Sequence, residues 1–72
     1  MFLNFLIEEK GQAPQITFYE GGFTVKDLED IYTLLMDTSK EWFIFSAKPN
    51  GIITRKEYIK SVYLSEQKGV LA

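Results

Sequence analysis

The chain has 72 residues, a net charge of −2, eleven aromatic side chains, and neither histidine nor cysteine. That length makes one domain, 1–72. It buries only about 60% of the surface its unfolded form exposes, and no disulfide or ordinary zinc site can reinforce it. The missing residues are also the usual base near neutral pH and the thiolate nucleophile, so the composition argues against an enzyme and against a cofactor or metal.

Phe2–Glu9 reads as a strand, with Leu3, Phe5 and Ile7 on one face. Gly11 and Pro14 break the pattern, and Gln15–Glu20 resumes it, with Ile16 and Phe18 on one side and Thr17 and Tyr19 on the other. A hairpin is the economical connection. Gly21-Gly22 is the strongest break in the chain. Thr24, three residues before Asp27, resembles a capping box. Beyond it Val25, Leu28, Ile31, Tyr32, Leu35 and Met36 share one helical face, predicting a helix over about 25–37. Leu34 falls toward the polar side, the one apolar residue this helix leaves unaccounted for.

Glu41–Ala47 is a strand with four large apolar residues in a row, so both of its faces want cover. Lys48-Pro49-Asn50-Gly51 predicts a tight turn into Ile52-Ile53, with Pro49 at its first position and Gly51 left-handed. Tyr58–Ser65 reads as a strand in preference to a helix, and Gly69–Ala72 as a loose end. The expected fold is α+β: a small single-layer antiparallel or mixed sheet, ββαββ or ββαβββ, with one helix on one face.

The order hairpin, helix, strands is similar to the ubiquitin-like β-grasp, a resemblance of topology. The last residues, Gly69-Val70-Leu71-Ala72, lack the terminal Gly-Gly that conjugating members activate, so the resemblance does not extend to modifier or sulfur-carrier chemistry.

Charge is unevenly spread. Residues 1–30 sum to −4 and residues 31–72 to +2, which fits two differently solvated faces. Phe2–Ile7 is interrupted by Asn4, lacks a basic flank and runs into Glu8-Glu9, so it does not form a signal segment. Nothing approaches the ~20 apolar residues of a membrane span. A cytoplasmic location without a membrane partner is the expectation.

Carboxylate pairs offer little chemistry. Glu8 and Glu9 point to opposite faces of a strand. Asp27 and Asp30 share a helix face at its exposed N-terminal end, where they complement the dipole. Asp27, Asp30 and Asp37 lack the spacing of a calcium loop, and no small-molecule substrate is inferred. Lys48, Arg55, Lys56 and Lys60, with Tyr58 among them, form a basic hairpin that could grip a nucleic-acid strand weakly. A pI near 5.0 makes this the second reading.

The surplus of aromatics is the stronger signal. One helix covers one sheet face, filled by Leu3, Phe5, Ile7, Ile16, Phe18 and half of the Trp42–Phe45 strand. Phe2, Leu6, Tyr19, and Trp42 with Ile44 or Phe43 with Phe45 remain for the other. Phe2, Leu6, Tyr19, Trp42 and Phe43 are therefore the candidate protein interface of a homodimer or of a module docking on a protein partner. Small size without chemistry fits an accessory or inhibitory protein, such as those of mobile elements.

Overall fold

The computed structural model describes residues 1–48 and 50–68. Pro49 and residues 69–72, and with them the expected proline turn position and the expected loose C-terminal end, lie outside the described residues. The elements are β1 (Phe2–Ile7), β2 (Gln15–Glu20), α1 (Val25–Leu35), β3 (Trp42–Phe45), β4 (Ile52–Arg55) and β5 (Ile59–Ser65), with a 3-10 turn over Lys56–Tyr58. Five antiparallel strands and one helix make a small α+β fold.

The strands divide into two sheets where the sequence predicts one layer. β2-β1-β5 form a three-stranded sheet, and β3-β4 a two-stranded one. The element order is the expected ββαβββ, but the second hairpin packs across the first sheet instead of extending it. Phe45 and Phe43 lie 5.1 Å and 5.8 Å from Phe5, ring centroid to centroid, and Phe45 lies 5.3 Å from Tyr19. Four aromatic rings clustered in this way act as the clasp between the layers.

Register decides which face each residue takes. Leu3 pairs with Tyr19 and Phe5 with Thr17, so Tyr19 shares the core face of β1. Ile16 and Phe18 lie on the other face, the reverse of the sequence expectation. The physical reason is parity: the 8–14 connection sets the register, and one residue of slip exchanges the faces of β2. On that second face Asn4 is buried, donating to the Tyr63 carbonyl (3.2 Å) and to Ser65 Oγ (2.8 Å), while Phe2, Leu6, Ile16 and Phe18 are half-buried.

The helix begins as its sequence dictates. Thr24 accepts from the Asp27 amide, and the Asp27 carboxylate accepts from the Thr24 amide (2.8 Å), closing the capping box. Its last helical residue is Leu35, two residues before the predicted end. Ile31 is buried in the core, with Leu28 and Leu35 packed against it. The Tyr32 hydroxyl donates to the Val62 carbonyl (2.6 Å) and accepts from the Val62 amide (3.4 Å), which docks the helix along the outer edge of β5.

The second turn closes for a steric reason. A Cβ on Gly51 would lie 2.4 Å from the Phe45 carbonyl oxygen, so glycine is required by the close approach of the two strands. It is Gly11, in the first hairpin loop, that takes the left-handed conformation, at φ 81°.

Candidate protein interface

The β3-β4 hairpin sorts its residues by alternation. Phe43 pairs with Thr54 and Phe45 with Ile52, and this inner face packs on Phe5 and Tyr19. The outer face carries the remaining pairs, Trp42 with Arg55 and Ile44 with Ile53. Trp42 is 54% exposed, Ile44 62% and Ile53 74%. Leu34, from the end of α1, is 50% exposed and lines one small cleft with Lys40, Trp42 and Ile44. The residue that the helical pattern left unaccounted for thus extends the apolar face of the hairpin.

Charge frames this face with both signs. The Arg55 guanidinium stands 5.5 Å from the Trp42 ring centroid, with Glu57 at 3.1 Å and Glu41 at 3.5 Å. Exposed pairs of this kind contribute little stability. What they do here is hold a cation over the indole ring and leave a mixed-sign rim around three exposed apolar side chains.

Of the five residues the sequence offers as an interface, only Trp42 lies on this face. Phe43 is 2% exposed and Tyr19 is buried; both belong to the core. Phe2 and Leu6 are half-buried on the second face of the three-stranded sheet, beside Phe18. The sequence left Ile44, with Trp42, as one of two alternatives for the uncovered face, and missed Ile53 and Leu34. A signal for Ile53 was present: Arg55 is the one charged residue of β4, and it marks the solvent side that Ile53 shares.

The basic hairpin does not assemble into one surface. Arg55 is engaged by Glu41 and Glu57, the Lys56 ammonium donates to the Asp37 carbonyl, and the Lys60 ammonium donates to the Glu57 carbonyl (3.0 Å). Tyr58 is half-buried, its carbonyl accepting from the Glu8 amide (2.8 Å). Lys48 is exposed in the turn.

The carboxylates that a reaction would need are dispersed. Glu8 and Glu20 are exposed, Asp27 is used in the helix cap, and Asp30 pairs with Lys26. That pairing raises the Lys26 pKa, chiefly through its hydrogen bond to Asp30. Asp37 is held below its usual range by the hydroxyl and amide of Ser39. Burial pushes the Tyr19 phenol up. Among the described residues no group of three or more acids could hold a metal ion, and no helix is long and apolar enough to cross a membrane. A cleft of about 250 Å³ between β4 and the first hairpin has Glu9 as its one titratable lining residue.

No protein-family model matches the chain, and no significant match is found to a curated protein or to a solved structure.

Proposed function

We propose that this chain is a non-enzymatic protein-interaction module that self-associates through the outer face of β3-β4. The observation that carries the reading is the exposure of Trp42, Ile44 and Ile53 side by side on one hairpin face, with Leu34 continuing it. Together they amount to an apolar patch on the order of 450 Å², at the size where patches on monomers tend to be functional.

A second copy suits this face because the rim carries Lys40 and Arg55 together with Glu41 and Glu57. A two-fold contact can then set opposite charges against each other around an apolar centre. The area so buried is on the order of 1,000 Å² in total, the lower bound for specific association, so the dimer is concentration-dependent. The cytoplasmic, accessory role expected from size and composition accords with such a module. Nucleic-acid binding has less support, since Arg55, Lys56 and Lys60 are engaged within the fold.

Sedimentation equilibrium tests the reading. The chain is expected to exceed its single-copy mass of 8.3 kDa. Ile53→Asp and Trp42→Asp each weaken the association contributed by this face tenfold or more, with thermal unfolding of the dilute single-copy chain unchanged. Association insensitive to both substitutions would remove this face from the account.

A further inference from the structure

The two outer edges of the three-stranded sheet are finished differently. β5 is closed by α1, since both backbone groups of Val62 are bonded to the Tyr32 hydroxyl. Its register is also broken by a bulge between Leu6 and Ile7, and it carries Lys60. β2 has none of these devices. Over Gln15–Glu20 there is no lysine, arginine, proline or bulge, and the ladder to β1 runs without a shift across all six residues. The other open-edged strands, β3 and β4, are four residues each, and β4 ends on Arg55.

Hydrogen-bond parity fixes which groups β2 offers. The Gly21 amide donates to the Met1 carbonyl (3.2 Å), so the bonded pairs of this ladder fall on Leu3–Tyr19, Phe5–Thr17 and Ile7–Gln15. The amides and carbonyls of Ile16, Phe18 and Glu20 therefore point away from β1, and among the described residues they have no partner. Here is a straight strand offering unpaired backbone groups at every second residue.

We infer that β2 pairs antiparallel with β2 of a second copy, joining two three-stranded sheets into one of six strands. Of the two-fold registers that parity allows, one pairs all three outward-pointing residues within Gln15–Glu20. Phe18 faces the partner subunit's Phe18 on the axis, Ile16 faces the partner's Glu20, and Glu20 faces the partner's Ile16. All three outward-pointing residues then exchange both bonds, giving about six backbone hydrogen bonds. No carboxylate is set opposite a carboxylate. Phe18, whose ring lies 6.0 Å from Phe2, meets its symmetry mate and continues an aromatic row across the axis. The paired groups of Ile16, Phe18 and Glu20 include none of the hairpin-face residues. Ile53 does line one cleft with Gln15 and Thr17 of β2, so the hairpin face is perturbed in the test at Trp42, which lies outside that cleft.

The test is made on the full chain carrying Trp42→Asp, which weakens the hairpin face without entering the cleft that Ile53 shares with β2. At sub-millimolar concentration this variant is expected to sediment at twice 8.3 kDa. Adding Phe18→Pro removes an outward amide without touching the ladder to β1 and returns the single-copy mass. Ile16→Lys, which puts a charge on the paired edge, does the same if proline disturbs the fold by circular dichroism. Because the chain contains no cysteine, register is read by single substitutions. Phe18→Cys forms an intermolecular disulfide on mild oxidation, whereas Ile16→Cys and Thr17→Cys do not. A monomeric Trp42→Asp chain would overturn the inference and leave the hairpin proposal intact. Crosslinking at Thr17 as efficient as at Phe18 would overturn the register.

Discussion

β1 and β3 are built from similar material and end in opposite environments. Both are runs of large apolar side chains, FLNFLI and WFIF. β1 lies between β2 and β5, and its Leu3, Asn4 and Phe5 are fully buried on two faces. β3 has one strand neighbour; Phe43 is buried while Trp42 and Ile44 face outward. Apolar content alone therefore does not decide burial here. A strand with a neighbour on each side and a packed layer over it hides its rings, whereas the same residues in a two-stranded hairpin keep one face in water.

The largest expected effect breaks that contrast at its strongest point. Phe5 contacts the rings of Tyr19, Phe43 and Phe45. Phe5→Ala should cost about 3–5 kcal/mol, comparable to the whole stability of a small domain. Phe5→Leu retains enough core to be followed by urea titration if the alanine variant does not fold. Trp42→Ala, titrated at a concentration low enough to keep the chain monomeric, should stay within about 0.5 kcal/mol of the parent chain, since it gives up mainly surface that is exposed in the single copy. Equal losses at the two positions would mean that the outer hairpin face is sheltered after all.

A smaller effect sharpens the comparison at the edges. Tyr32→Phe removes the hydroxyl that satisfies both backbone groups of Val62 and should cost about 1–2 kcal/mol. Hydrogen exchange at the Val62 amide is the direct readout, and it should speed up more than exchange at the Val62 strand neighbours that bond to β1. If β5 stayed equally protected, the helix would be holding that edge by packing alone.

Much of this architecture could be read from the residues. Alternation gave β1 and β2, the Thr24–Asp27 pair marked the helix start, and Asn50-Gly51 marked the second hairpin turn. Register could not be read, because seven connecting residues between β1 and β2 fit either parity, and so Tyr19 and Phe18 exchanged faces. In Trp42–Phe45 no polar residue marks the phase, which left two solutions open. The clue lay one strand later. A hairpin pairing Phe45 with Ile52 sets Trp42 opposite Arg55, and the arginine names the wet side. Division into two sheets had no sequence marker at all, since it depends on how the hairpin crosses Phe5 and Tyr19.

The smallest effect concerns how β3 is launched from the helix. Asp37, in the turn after α1, accepts from the Ser39 hydroxyl (2.6 Å) and amide (3.0 Å), and both bonds favour its charged form. With its folded pKa lowered, Asp37 contributes stability that is present above the ordinary carboxylate range and is lost as pH falls through the lowered value. Ser39→Ala removes the larger of the two causes and should move the Asp37 titration upward, as followed by carboxyl-carbon NMR between neutral and acid pH. The acid limb of stability should shift in the same direction, slightly, because the carboxylate is exposed. Asp37 also receives the Lys56 ammonium on its carbonyl, so this turn ties the end of α1 to the end of β4. If the hairpin depends on that tie more than on its inner aromatic face, Ser39→Ala will loosen Trp42 and Ile44 in NMR relaxation. The packing of Phe43 on Phe5 predicts that it will not.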